Sequence, residues 1–176
     1  MKNYILLLFV FVTLTINSQE GKDKNGIRLD APKGVHQYAF RIGIWSETSK
    51  SLISRDEWKT NTSGAHRVYV AENGLTFIEE GLDEKGNITH KITFDYVEVT
   101  DSWENNYIDI KTSRKVKYTS KIIDGNMVET IIRKGNTNNN TYTVLADNIY
   151  IYTARRTFGN DFTIVNHVGI STKKKI

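Results

Sequence analysis

From His36 onward, short runs of Tyr, Val, Ile, Thr and Phe alternate with turn residues at intervals of roughly ten, the pattern of successive antiparallel strands. The punctuation is explicit. Asn73-Gly74, residues 83–87, Asp124-Gly125-Asn126, residues 135–140 and residues 159–161 each place Gly or Asn where a tight turn needs positive φ. The pattern predicts strands over 38–48, 56–62, 65–72, 75–81, 88–99, 106–112, 115–123, 127–134, 141–146, 149–157 and 162–171. No segment keeps a helical apolar period over three turns, and 46–55 has room for one short helical turn.

Successive side chains on a strand point to opposite faces, so alternation assigns an inside and an outside. In 88–96 one face reads Ile88, His90, Ile92, Phe94, Tyr96, and the other reads Thr89, Lys91, Thr93, Asp95. In 162–170 the dry face reads Phe162, Ile164, Asn166, Val168, Ile170. Many such strands in one domain bury their dry sides most simply by curling up, which also removes vulnerable sheet edges. The expected fold is all-β, a single antiparallel up-and-down β-barrel over residues 37–171. The polar tract 136–141 reads as a hairpin loop, and no internal repeat supports a propeller or solenoid.

The ends read differently. Lys2, the apolar run Tyr4 to Ile16 and the polar Asn17-Ser18-Gln19-Glu20 form a secretory signal over 1–18, too short for a comfortable membrane span. Residues 19–36, which hold Pro32, read as a flexible leader, and 172–176 as a basic tail. The absence of cysteine excludes disulfides, thiolate metal sites and a lipid-modified N-terminal cysteine. The mature chain is therefore expected in the periplasm or outside the cell, held by its core alone. The full chain's net charge of +4, which falls to +3 without Lys2, is interspersed, and Lys173-Lys174-Lys175 is the one basic run, so nucleic acid is not an expected partner, nor is a membrane span once the signal is removed.

One stretch narrows the fold. Phe40, Gly43 and Trp45 form a Phe-x-x-Gly-x-Trp opening, and Glu57-Trp58 follows on the second predicted strand. With these motifs the chain resembles secreted bacterial lipocalin-like (calycin) domains, loosely over 38–171. That resemblance implies an up-and-down barrel with an internal cavity, closed near Gly43 and Trp45. It also implies a last-strand arginine, Arg155 or Arg156, packed over the Trp45 indole as a cation–π pair. The chain departs from the pattern at Arg41, where an aromatic is usual.

Candidate chemistry is sparse. His36, His66, His90 and His167 fall in no metal-ligand spacing, so neither a metal nor a cofactor is expected. Alternation sets His90 on the interior face and His167 on the outer face, away from a haem-type role. Glu79 and Glu80 must point opposite ways, and Asp83-Glu84 belongs to a turn, so neither pair suits two-carboxylate catalysis. Nucleophile-elbow, phosphate-loop and dinucleotide motifs are absent. Trp103, in the polar stretch 100–106, reads as an exposed sugar-binding platform or as a barrel lid.

The sequence therefore points to a non-catalytic barrel that takes a small, apolar or aromatic ligand into its interior. Tyr38, Trp58, Tyr69, Phe77 and His90 are cavity candidates, with Phe94, Tyr96, Tyr150 and Tyr152. Two alternatives stay open: a calycin-shaped enzyme of cyclase, isomerase or hydratase type with His90 as acid/base, and a module that binds partners or sugars on its outer face.

Overall fold

The computed structural model describes residues 21–159 and 162–174, and the side chains of all of these except 62–64. The expected signal sequence 1–18 and the last two residues of the basic tail lie outside that range. Among the described residues, ten antiparallel strands close on themselves. They are β1 Gly43–Ser54, β2 Glu57–Val70, β3 Thr76–Leu82, β4 Ile88–Val97 and β5 Ser102–Asp109, followed by β6 Lys115–Ile123, β7 Asn126–Arg133, β8 Asn136–Ala146, β9 Ile149–Phe158 and β10 Phe162–Lys173. Each pairs with its neighbours in sequence, and β1 seals the ring on β10 from Trp45↔Lys173 to Ser51↔His167. The result is the up-and-down barrel the alternation implies, with every strand paired on both sides.

Local chemistry explains the turns. Asp124 and Gly125 both adopt positive φ, 50° and 77°, between β6 and β7, as a two-residue hairpin of matching twist requires. Several strand boundaries differ from expectation: residues 38–41, expected in the first strand, are helical, and β5 covers Ser102–Asp109 where 106–112 is expected. Residues 56–62 and 65–72 belong to one continuous β2, residues 46–55 lie almost wholly in β1, and the asparagine tract is the first half of β8. Asparagine has low strand propensity, but here Asn140 and Asn138 face inward, and Asn140 finds a buried hydrogen-bond partner in Glu129.

One end of the barrel is plugged by the segment expected to be a flexible leader. Asp23 Oδ1 accepts from the backbone N–H groups of Asn25 and Ile27 at 2.8 and 2.9 Å, shaping a tight turn. Helix α1, Lys33–Tyr38, follows Pro32 and runs into a 3-10 turn over Ala39–Arg41. Ile27, Val35 and Tyr38 are fully buried. The Tyr38 ring packs 4.7 Å from Phe77, 5.2 Å from Phe94 and 5.3 Å from Trp103, measured between centroids. A helix of six residues is too short to show a period or to stand alone, so packing holds it, which composition does not report.

Trp45 sits at the centre of this closed end, 1% exposed, and its indole N–H donates to the Arg41 carbonyl at 2.7 Å. Gly43, at φ 135°, makes the sharp change from the 3-10 turn into β1, a conformation other residues rarely adopt. The cation over Trp45 is Lys173, 5.5 Å from the ring centroid, not Arg155 or Arg156. The reason is strand direction. β9 runs away from the closed end, which puts Arg155 and Arg156 near the far rim, where Arg156 donates to Asn138 at 3.0 Å; β10 returns and delivers Lys173 opposite Trp45. The tail thus begins as barrel strand. Trp103, expected in an exposed loop, is fully buried on β5 and packs on Tyr38 and Tyr96.

Replacing Trp45 by Ala removes a fully packed ring where plug and barrel meet, so it is expected to cost about 3–5 kcal/mol. Urea unfolding checks this, and a loss under about 1 kcal/mol would place the ring outside the core.

Candidate functional site

Above the plug the barrel encloses a cavity of about 550 Å³. Its floor is polar because several inward positions carry polar side chains in place of apolar ones. The 3-10 turn aims Arg41 up into the barrel, and Phe77, Glu79 and Gly81 alternate inward on β3, as do Met127, Glu129 and Ile131 on β7.

Arg41, 1% exposed, forms an ion pair through Nη2 with Glu79. Its guanidinium lies 4.3 Å from the Tyr142 ring centroid and 5.5 Å from that of Tyr150. Two charges are tolerable at this depth because they neutralise one another and the cation rests on aromatic faces. Glu129, 3% exposed, has no such partner. Burial pushes its carboxyl up to about 7, against the attraction of Arg41 and a 3.0 Å hydrogen bond from the Asn140 amide to Oε2. The nearby Tyr142 hydroxyl also favours the charged form, yet Glu129 Oε1 has no hydrogen-bond partner of good geometry among the described residues, and neither has Arg41 Nε.

Burial likewise raises the hydroxyls of Tyr118, Tyr142 and Tyr152, and that of Tyr150 to about 12, so all four stay protonated. His66 Nε2 and the Tyr150 hydroxyl share a 2.8 Å hydrogen bond. Burial lowers the His66 pKa despite the opposing pull of Glu79, so that imidazole is neutral.

The opposite end carries the mouth. His90 stacks on Tyr107 with centroids 5.3 Å apart and lies 3.2 Å through Nδ1 from the Thr89 hydroxyl. Gly81 is its cross-strand partner, and a Cβ there would collide with the imidazole, so glycine makes room for the ring. Arg114 stands 5.8 Å from the Tyr107 ring centroid and lines the cavity with Arg133. On the β1–β10 wall, His167 Nδ1 is 2.8 Å from Ser51 Oγ, and Nε2 is 3.4 Å from Glu47 Oε1. Burial would raise the Glu47 carboxyl, but the hydrogen bond and charge of His167 hold it below the usual range. Among the described residues, no cluster of three His, Asp or Glu side chains is placed to hold a metal ion.

His90, Tyr150 and Tyr152 line the cavity. Tyr38, Phe77, Phe94 and Tyr96 pack into the closed end beneath it. Trp58 and Tyr69 face outward, 41% and 37% exposed, and the Tyr69 hydroxyl donates to Glu80 at 3.1 Å. Glu79 and Glu80 do point opposite ways, one into the floor and the other onto Arg67 outside. His167 departs from its expected outer position. A register shift between Val165 and His167 turns His167 and Gly169 inward, while Val168 and Ile170 go out, 37% and 50% exposed. The sequence alone did not mark Glu129 and Tyr142 as cavity groups, and Arg41 stood out only as a departure from the opening motif and as a charge-steadying group in the enzyme alternative. A glutamate alternating with Met127 and Ile131 on a dry face was the available signal for Glu129.

A closed antiparallel barrel with a plugged end and an internal cavity is a calycin-like architecture. Among solved structures, the chain is similar to an S-type phycobiliprotein lyase from Guillardia theta, with a TM-score of 0.52 and 10% sequence identity, over 78% of this chain and 90% of that one. At that identity the likeness speaks for the fold. No protein-family model matches the sequence, and no curated protein matches it.

Two predictions follow from the floor. Arg41→Met leaves Glu79 as an uncompensated buried charge and is expected to cost about 3–5 kcal/mol, whereas Arg41→Met with Glu79→Met should recover most of that loss. Additive losses in urea unfolding would contradict the pairing. The second prediction concerns pH. The folded Glu129 carboxyl titrates above its ordinary value of 4.5, so between 4.5 and about 7 the folded chain holds the extra proton. Its contribution to stability is complete below 4.5 and is lost as pH rises through about 7, on the order of 3 kcal/mol in all. Glu129→Gln should remove that decline; identical pH–stability curves for the two proteins would contradict it.

Proposed function

We propose that this protein is an exported, non-catalytic barrel that binds a small, partly apolar molecule in its interior. The observation that carries this reading is the cavity of about 550 Å³, a size that suits a small-molecule ligand, with apolar walls from Ile92, Val116 and Ile131 and polar groups at both ends. Tyrosines supply much of the rest of the lining, offering large apolar area with hydroxyls that fix orientation. The fold likeness to a phycobiliprotein lyase is in keeping with a barrel that handles small molecules.

His90 suits a ligand contact better than acid/base chemistry. Among the described residues it meets the Thr89 hydroxyl and the Tyr107 ring, and no carboxylate bonds it. Native mass spectrometry of the protein purified from its own source tests the reading: a retained small molecule is expected. His90→Phe should lower its occupancy while the melting temperature holds. Empty protein under gentle desolvation, or a lost melting temperature with unchanged occupancy, would contradict the reading of the cavity or of His90 respectively.

A further inference from the structure

Because each strand pairs with its neighbours in sequence, the turns β1–β2, β3–β4, β5–β6, β7–β8 and β9–β10 all meet at the open end, around the cavity mouth. The last three of these adjoin one another and carry apolar side chains that the core leaves uncovered. Ile110 is 52% exposed, Ile132 79% and Phe162 63%, with Phe158 beside it at 37%, the two rings 6.1 Å apart between centroids. The Gly159 N–H donates to the Gly135 carbonyl at 3.3 Å, which ties the β7–β8 and β9–β10 turns into one surface. Among these apolar tips stand Lys111, Arg114, Lys115, Arg133 and Lys134, all exposed, against a single carboxylate, Asp109, in the stretches 109–115 and 132–136. Asp109 accepts from the Thr112 N–H and hydroxyl, both at 2.8 Å, and none of the five cations forms an ion pair among the described residues. Asp161, in the third turn, lies outside the described residues, and Arg156 on the adjoining strand stands 5.9 Å from the Phe158 ring centroid. The other half of the rim has the opposite character: the stretches 53–58 and 82–88 hold Asp56, Glu57, Asp83 and Glu84 against Arg55 and Lys85, so their exposed Ile53, Trp58 and Ile88 share the turns with an excess of carboxylates.

We infer that the β5–β10 sector of the rim docks on an anionic lipid surface, with Ile110, Ile132, Phe158 and Phe162 in the headgroup layer and the five cations on lipid phosphates. A surface that joins exposed apolar side chains to clustered Lys and Arg gains from both at an anionic bilayer, by burial of apolar area and by attraction to the negative surface potential. A soluble polyanion would satisfy the cations alone. The apolar tips need an apolar layer behind the charged one, and a bilayer has that order. The carboxylates of the other half are repelled by the same surface, so the barrel leans on it by one side of its mouth. The inference concerns the rim and stands on its own if the cavity proves empty. If the cavity takes a partly apolar molecule, the docked mouth opens on the phase in which such molecules dissolve.

Co-sedimentation of protein purified from its own source with lipid vesicles tests the docking. Vesicles of equimolar phosphatidylglycerol and phosphatidylcholine should bind about tenfold more tightly than phosphatidylcholine alone, and the difference should shrink as salt rises. Lys111→Glu with Lys134→Glu should cost about tenfold on the anionic vesicles, and Ile132→Ser with Phe162→Ser a similar factor. Arg55→Glu with Lys85→Glu changes the net charge equally on the other half of the rim and should leave binding within about twofold. All variants share one N-terminus, so the apolar run 4–16 cannot produce a difference among them. Circular dichroism on each confirms the fold. In Ile132→Trp the added indole should be quenched by brominated phosphatidylcholine in the anionic vesicles, whereas the unsubstituted protein, whose exposed tryptophan is Trp58 on the other half, should show no quenching. Equal binding to neutral and anionic vesicles, equal losses from the two charge reversals, or an unquenched Ile132→Trp would each overturn the docking. So would vesicles that bind no protein, and a concentration-dependent dimer dissolved by Ile132→Ser with Phe162→Ser would then give the patch to a second copy of the chain. None of these results bears on the cavity, which native mass spectrometry decides separately.

Discussion

The inside of this barrel is organised around one buried cation. Arg41 leaves the 3-10 turn of the plug, gives its carbonyl to the Trp45 indole, and carries its guanidinium up to Glu79 on β3 and onto the ring of Tyr142 on β8. One residue thereby ties the plug to the adjoining β1 and to two strands distant in sequence. A charge at this depth is tolerated because a carboxylate and aromatic faces surround it, so each of those groups depends on the others. The geometry of the closed end and the polarity of the cavity floor have the same cause.

That dependence gives the cavity a direction. At the floor, charge is internally balanced: Arg41 offsets Glu79, the tyrosines stay protonated, and Glu129 lies near its midpoint at neutral pH. At the mouth, Arg114, Arg133, His90 and the Glu47–His167 pair are partly open to solvent, where screening weakens their pull on any one ligand.

Much of this was legible in the alternation. The strand 88–97 shows its faces because Ile92 and Phe94 recur at the strand period without interruption, and His90 follows from them. Glu79 and Glu80 are separated by the same rule. What alternation cannot register is a shift of one residue. The irregularity near Val165 reverses every assignment beyond it on β10, and a register shift between Ser46 and Thr48 on the β1–β2 ladder does the same between His66 and Trp58. Polar residues inside the barrel also disguised strands as loops. Asn105 bonds Ser120 and Asn140 bonds Glu129, so the segments around Trp103 and the asparagine tract look hydrophilic while lying in the wall. The plug was hidden for a different reason, since its buried residues are too few and too widely spaced to form a period. Arg41 did stand out, as the one departure from the aromatic pattern of the opening motif.

The central claim is that the space above Arg41 is a ligand site and not a packing defect. The most direct measurement is a crystal structure, at a resolution that shows individual atoms, of protein purified from its own source without denaturation. The account predicts continuous density inside the barrel, between the floor beside Tyr118 and the mouth beside His90 and Tyr107. A cavity closed by inward rotation of Tyr107, Tyr118 and Tyr152 and holding no density would contradict it.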